Sequence, residues 1–552
     1  MTDDDTHGSD DTPSSGTGGD PSEPRADGGS AAGADDVALD PWGSSTVGDY
    51  RKLFEEFGIG AFDDVLPEVP EPHYLMRRGV IFGHRDYGRV ARAMRSGAQR
   101  APASGDAASE DTTGPDEPAD AAVLSGFMPT GDPHIGHKMV FDEIIWHQER
   151  GADAFGLIAD LEAHAARGLS WDEIDEHARS YLLSLLALGF DPEVGELYRQ
   201  STNREVQDLA FELGTKANVS ELSAIYDFDG ETEVSYMQSV VTQMADILYP
   251  QLEKPRPTVI PVGPDQDPHM RLARDLAARM RFFKVTEGYA SFEVDAEERA
   301  LLARAYEALD AERGADDDPV RCEAAADWLR EHAEPSDARA GAVESLDTAG
   351  KEPLRPRVRF LDRNATDEAF EALIDAVEGE KRVFEGHVDA FDVDRAAAED
   401  LAREAEVEHG GYGFEPPSSI YHRFMTGLTG GKMSSSVPAS HISLLDDPEE
   451  GYEKVKAAAT GGRETAEKQR ELGGEADECP VYELYAYLLA GDDEFAAEGY
   501  EECVGGERLC GDCKEQAAVL MEEFLAEHQE KREEAEELLA ALDLELESPR
   551  TG

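Results

Sequence analysis

The sequence predicts an α/β fold built on a parallel sheet, followed by a mostly α-helical C-terminal region. Three observations carry this. From Ala122 onward, short apolar strands alternate with longer helices of 3.6-residue apolar period. The first of those strands runs through a Gly- and Pro-containing turn straight into a helix. After Gly430 the chain is helical in pattern nearly to residue 545.

The elements follow in order. Residues 1–45 are rich in Asp, Gly, Ser and Pro, have almost nothing to bury, and are expected to be a disordered acidic tail. Residues 46–100 form an appended segment in which Arg77 to Asp86 reads as a short strand and turn, and 101–121 is a low-complexity linker. Val123-Leu124 is a strand, and the apolar-periodic stretch ending at Trp146 is a helix. Phe155 to Ala159 is the next strand. Ser170-Trp171-Asp172-Glu173 is a capping box whose helix buries Ile174, Tyr181, Leu182, Leu185 and Leu186 before Gly189 ends it. Thr258 to Val262 is a third strand. Residues 290–412 are charged and read as mostly helical, with a linker-like stretch at 311–355.

A chain of 552 residues is long enough for several domains. It has no apolar run of about twenty residues, so no membrane partner is expected. Its acidic start is unlike a targeting peptide, which points to the cytoplasm. The formal net charge is −69, from 120 acidic and 51 basic residues spread along the whole length. An acidic partner-binding protein is one reading. The reading taken here is a halophilic surface adapted to molar salt, where the screening length falls to about 3 Å and self-repulsion is weak.

Chemistry concentrates in a few segments. Gly126-Phe127-Met128-Pro129-Thr130-Gly131-Asp132-Pro133-His134-Ile135-Gly136-His137 takes a strand through a turn to a helix start bearing two histidines three apart, hence on one face. A helix N-terminus with free N–H groups is an anion site, and Gly136 leaves room for a nucleotide. Pro129, Thr130, Gly131, His134, Gly136 and His137 are therefore candidates for binding ATP. Almost three hundred residues later, Gly430-Gly431-Lys432-Met433-Ser434-Ser435-Ser436 is a Gly- and Ser-rich loop. A mobile loop with a lysine and hydroxyls can follow phosphates as their charge grows.

In this order, on an α/β background, the two segments resemble the signature motifs of class I aminoacyl-tRNA synthetases. The segment Pro261 to Arg271, with Asp265-Gln266-Asp267-Pro268, is similar to the tryptophanyl enzymes of archaeal and eukaryotic type. So are Gly83-His84-Arg85-Asp86, the run from Thr460 to Gly474, and the small Ser435 in the lysine loop. The resemblance implies a Rossmann-like catalytic domain over 122–289, split by the 290–412 insertion and continued over 413–450. A helical anticodon-binding domain would follow over 451–545. It implies ATP with Mg²⁺, L-tryptophan and tRNA(Trp) as partners, a homodimer and no DNA. His134, His137 and Lys432 would be catalytic. Asp265, Met433, Ser434, Ser435 and Ser436 would join the ATP site. Glu162, Gln243 and Gln266 would line the amino-acid pocket, where a polar group must accept the indole N–H.

Two departures bear on that pocket. Val123 and Leu124 stand where eukaryotic members have a tyrosine, and Leu157 stands roughly where they have a glutamine. Phe155 to Ala163 looks partly like the tyrosyl relatives, so tyrosine stays open as the substrate. So does a synthetase-like nucleotide-binding protein that no longer aminoacylates.

Cys479, Cys503, Cys510 and Cys513 fall in one helical region, against one other cysteine, Cys322. Four thiolates at this spacing suit zinc or an iron–sulfur cluster. Some tryptophanyl synthetases resemble this pattern and hold a four-iron cluster. Cluster, zinc or no metal remain the alternatives.

Overall fold

The computed structural model describes residues 57–98, 120–290, 322–332, 355–431 and 437–542, with Phe54, Met433, Leu544, parts of 301–309, and residues 37–38 paired with 46–47. The remainder of the 1–45 tail and 101–119 of the linker lie outside the described residues.

The core is a seven-stranded sheet. Its strands are β1 (Gly60–Ala61), β2 (Ile81–Arg85), β3 (Ala122–Phe127), β4 (Asp153–Ile158), β5 (Gly195–Arg199), β6 (Thr258–Val262) and β11 (Ser418–His422), in spatial order β1-β2-β11-β6-β3-β4-β5. From β11 to β5 all neighbours are parallel, while β2 and β1 close one edge antiparallel. The expected α/β class and parallel sheet are what the chain forms. The parallel strands are buried on both faces, and their residues are apolar runs for that reason: Val123, Leu124, Val259, Ile260 and Ile420 are all under 4% exposed. The appended segment belongs to this same sheet, because β2 hydrogen-bonds along β11.

The chain order explains where a ligand can enter. It runs from β3 through helix α1 (Ile135–Gln148) to β4, and through α2 (Asp160–Arg167) and α3 (Trp171–Leu188) to β5. It then passes α4 (Arg204–Gly214) and α5 (Val234–Leu248) and returns to the other side of β3 as β6. The strand order reverses between β3 and β6, and in open parallel sheets that crevice is where ligands bind. Helix α6 (Asp267–Met280) leaves from the end of β6.

The insertion is helical for most of its described residues, as read, but it also holds strands that the sequence reading missed: β7 (Phe283–Ala290), β8 (Arg355–Asp362), β9 (Lys381–Phe384) and β10 (His387–Ala390) make a second, antiparallel sheet in the order β9-β10-β8-β7. Helices α7 (Asp367–Ala376) and α8 (Arg395–Glu408) cover one face, closing a separate core around Phe283, Phe360 and Val388. Within the stretch read as a linker, Cys322–His332 is a helix. The insertion is pinned to the main body by Arg281, whose Nε bonds the buried Glu406 at 2.7 Å, while Glu406 also accepts from Phe283 N at 3.0 Å.

The C-terminal part is helical, as read. It includes α9 (Pro448–Ala457), α10 (Asp493–Val504) and the 32-residue α11 (Cys510–Ala541), which packs against α3 and α9. No helix among the described residues is long and apolar enough to cross a membrane.

Candidate active site at the sheet crossover

A cleft of about 430 Å³ opens between β3 and β6. His134, Gly136, His137, Glu162, Gln243, Asp265, Gln266 and Met433 all line it, although they come from segments three hundred residues apart. Pro129, Thr130 and Gly131 form the turn between β3 and α1 and do not line it. Lys432, Ser434, Ser435 and Ser436 lie outside the described residues.

The paired histidines make an N-cap of unusual chemistry. His134 caps α1, its Nδ1 accepting from Gly136 N at 3.1 Å, and His137 Nδ1 accepts from His134 N at 3.2 Å. The arrangement is a capping box in which imidazoles replace the usual hydroxyl and carboxylate. The rings lie 3.9 Å apart, centroid to centroid. Each Nδ1 is an acceptor, so the proton of each neutral ring sits on Nε2. His137 meets Tyr181 Oη there at 3.3 Å. Burial, followed by the neighbouring His441, holds His137 down to about 4; His134 is lowered too, by burial and then by His137 and His441. Both are neutral donors at pH 7.

This corrects one expectation. The helix N-terminus is not an open row of N–H groups, because His134 takes Gly136 N and Ile442 O takes Ile135 N at 3.1 Å. The donor left to face a phosphate is His134 Nε2–H. Gly136 also has a more immediate cause than a ligand, since a Cβ there would stand 2.9 Å from His134 Cε1.

The segment after the lysine loop is fastened to this helix start. His134 and Ser443 form an antiparallel bridge, and Leu444 N donates to Pro133 O at 2.8 Å. On the other flank, Gly430 and Gly431 have φ of +79° and +90°, which side-chain-bearing residues rarely adopt. Met433 reaches the cleft, its sulfur 3.8 Å from where a Cβ of Gly136 would be. The chain that follows the loop is thus held against the start of α1, and Met433 is the described loop residue that reaches the cleft.

The deeper half of the cleft is apolar on its sheet side, at Leu124, Leu157 and Ala159, and polar on its helix side. Sequence reasoning missed Asp246. It sits three residues after Gln243 on the same face of α5, and that spacing was the available signal. Tyr198 Oη donates to one of its oxygens at 3.0 Å and Gln200 Nε2 to the other at 2.7 Å. Burial raises Asp246 to about 7, and raises Glu162 to about 8 with Asp246 as the second cause. Gln243 Nε2 donates to Gln266 Oε1 at 3.4 Å, and Gln243 Oε1 is buried with no protein partner. His269, bonded to Tyr226 Oη at 2.8 Å, is held by burial at about 3, and His422 at about 4. These two were missed as well.

Asp265 and Asp267, two apart, do different things. Asp265 lines the cleft. Asp267 is fully buried behind it, where Arg85 grips it at 2.7 and 3.0 Å and Tyr421 Oη donates at 2.6 Å.

Cys479, Cys503, Cys510 and Cys513 are free thiols, and all four line a second, smaller cavity together with Gly461 and Arg508. Gly462 and Gly474 leave room for it: a Cβ would lie 2.4 Å from Cys510 Sγ at the first and 2.7 Å from Cys503 Sγ at the second. Among the described residues no three candidate ligands stand close enough for a single metal ion. Four thiolates about 2.3 Å from one zinc would have to be closer together than that. The cavity between the four thiols measures about 10 Å³.

Paired imidazoles at a helix start, Met433 beside them and a pocket at the sheet crossover define a class I tRNA synthetase fold. The family described as "tRNA synthetases class I (W and Y)" matches residues 117–291 and 395–526. "Tryptophan–tRNA ligase 1" of Halobacterium salinarum is 67% identical over 527 residues, covering 94% of this chain and 98% of that protein. "Tryptophan–tRNA ligase" of Methanosarcina acetivorans is 48% identical over 91% of this chain and 98% of its own length. The crystal structure of tryptophanyl-tRNA synthetase from Aeropyrum pernix matches with a TM-score of 0.59 at 31% identity, over 93% of this chain and all of that one. The chain belongs to the class I W and Y synthetases, on the branch of the tryptophan–tRNA ligases.

Proposed function

We propose that this chain joins L-tryptophan to tRNA(Trp) through tryptophanyl-adenylate, releasing pyrophosphate and AMP. The observation that carries it is one cleft holding both halves of the chemistry: neutral imidazole donors beside Met433, and a deep pocket of apolar walls with two carboxyls and two amides. ATP enters with its Mg²⁺ at the His134 end. The amino-acid carboxylate attacks the α-phosphorus, the bond to the β-phosphate oxygen breaks, and pyrophosphate leaves. His134 Nε2–H donates to the phosphate oxygens, and Lys432 follows the departing pyrophosphate. The terminal ribose hydroxyl of tRNA then takes the acyl group, and AMP departs. Proximity supplies most of that second step.

In the pocket, Glu162 and the free Gln243 Oε1 receive the ammonium, with Gln266 orienting Gln243. Asp246 accepts the indole N–H, a role open to it because Leu124 and Leu157 leave the opposite wall without an acceptor. Tyrosine is set aside because the long, high-identity relatives named above carry tryptophan in their names. A non-aminoacylating protein is disfavoured because those relatives match through the helical C-terminal part. The region 451–545 would hold the anticodon by stacking and hydrogen bonds to unpaired bases. The chain would work as a homodimer, as the family resemblance implies. The four cysteines would hold a four-iron cluster in preference to zinc, as a structural group beside that helical region. We place the enzyme in the cytoplasm of a cell at high salt.

Amino-acid-dependent ATP–pyrophosphate exchange in molar KCl, with tryptophan and tyrosine in parallel, tests the core of this. Exchange with tyrosine alone would overturn it. Iron and sulfide content with absorbance near 400 nm after anaerobic purification tests the cluster, and a colourless, metal-free, fully active protein removes it.

Glu162 gives a pH signature. Its carboxyl is protonated at pH 7 in the free enzyme, and an ammonium ligand requires the carboxylate. Tryptophan binding should therefore release a proton, and affinity should rise by up to about tenfold per pH unit below pH 8. Calorimetry in buffers of different ionisation enthalpy would show it. Glu162→Gln should abolish the proton release; release unchanged in that variant would reject the assignment.

A further inference from the structure

The insertion carries a feature that the aminoacylation chemistry does not use. Four of the nine residues from Arg355 to Arg363 are arginine, in a chain with 51 basic residues among 552. Strand alternation sorts them. Val358 and Phe360 of β8 pair across with Ala390 and Val388 of β10 and are buried under α7 and α8. Arg355, Arg357 and Arg359 therefore point to the opposite face.

Register places more cations and rings beside them. Arg382 of β9 stands across from Asp389, which stands across from Arg359. Lys284 of β7 and His387 of β10 flank Leu361, and Phe384 pairs with His387. Phe384 and His387 stack at 4.3 Å with an 11° interplanar angle. At the end of the face the Phe391 ring lies between the guanidinium groups of Arg355 and Arg382, at 4.7 and 4.8 Å. Asp389 and Glu380 are the acids paired with these arginines. Five cations, Arg355, Arg357, Arg359, Arg382 and Lys284, stand with these two acids in a protein of net charge −69. Lys284 is exposed, and Leu361 and Phe384 are about 40% open.

The geometry points to this sheet face as a binding surface for RNA, namely the body of the tRNA substrate away from its reacting end. Charge complementarity selects a polyanion, and flat rings beside guanidinium planes select one with bases to stack. Salt explains the composition. In molar salt long-range attraction is lost, so only direct contacts count. Guanidinium–phosphate forks and base stacking are such contacts, and they favour arginine over lysine. Position agrees: α6 starts at the cleft and runs 14 residues, about 21 Å, before β7 begins, so the face lies beyond reach of the terminal ribose.

This inference rests on the tRNA-charging reading. The test uses the full chain with Lys284→Gln, Arg355→Gln and Phe384→Ala combined, and a second variant with only Lys284→Gln and Phe384→Ala. Tryptophan-dependent exchange, which needs no tRNA, should stay at the native level and report intact folding. KM for a tRNA(Trp) transcript in molar KCl should rise tenfold or more in the triple variant and severalfold in the double. A tRNA KM within twofold of native in both variants overturns the assignment. So does protease opening of the acidic segment 1–45 with tRNA KM unchanged, which would make that segment the occupant. Failure of the native chain to charge any tRNA would instead reject the catalytic reading.

Discussion

Replacing His134 with alanine should lower kcat for tryptophan-dependent ATP–pyrophosphate exchange by about 10²–10³, the usual effect of removing one pre-aimed donor to a charge-developing oxygen. The expectation is this large because the structure leaves few substitutes. The first N–H groups of α1 are consumed by the cap and by Ile442, so they cannot take over the phosphate. The Nε2–H of His134 is fixed by the bond at Nδ1, and the neutral ring donates without a counter-ion to displace. Tryptophan affinity should change little, since Glu162, Gln243 and Asp246 are set on α2 and α5. Losing the cap should cost about 1 kcal/mol of stability, so melting must be followed alongside. His134→Gln, which can return a donor from its amide, should recover part of the rate. An alanine variant with kcat within threefold of native would mean that His134 only shapes the turn.

The sequence made some of this visible and hid the rest for physical reasons. The sheet was readable because parallel strands buried on both faces must be apolar runs, as Val123-Leu124 and Thr258–Val262 are. The α3 helix was readable from its cap, since Ser170 and Glu173 do form the reciprocal bonds. The strands of the insertion were missed although Arg355 to Phe360 alternates cations with smaller or apolar residues, the strand period; they are short segments among the longer helical stretches Asp367–Ala376 and Arg395–Glu408, whose pattern dominates. The two histidines announced themselves by spacing, but their spending of the helix N–H groups on their own ring nitrogens required coordinates. Asp246 was hidden inside an apolar helix segment, Met244-Ala245-Asp246-Ile247-Leu248, where one acid reads as an outward residue. Its burial at 1% exposed is a tertiary fact, created by Tyr198 and Gln200 arriving from β5.

A buried ion pair ties the appended segment to the first turn of α6, and cutting that pair should have the second large effect. Arg85 on β2 reaches across β11 to Asp267 at the first turn of α6, the helix whose approach carries Asp265 and Gln266 into the cleft. Removing one partner of a buried ion pair costs about 3–5 kcal/mol, because the other charge stays desolvated. In Arg85→Met, Asp267 would keep only Tyr421 Oη and the half-exposed Arg271 at 3.2 Å. Apparent melting should fall by on the order of 5–10 °C. KM for tryptophan and for ATP should both rise, since both pockets share the start of α6. Adding Asp267→Asn should restore part of the lost stability, because the orphaned charge would be gone. An exposed pair gives the contrast: Arg204, 80% open beside Asp208 at 61%, should be replaceable by alanine with no measurable shift in melting. If Arg85→Met melted like Arg204→Ala, strand pairing and apolar packing would hold the appended segment without this ion pair, and the alignment of Asp265 and Gln266 would have to come from β6.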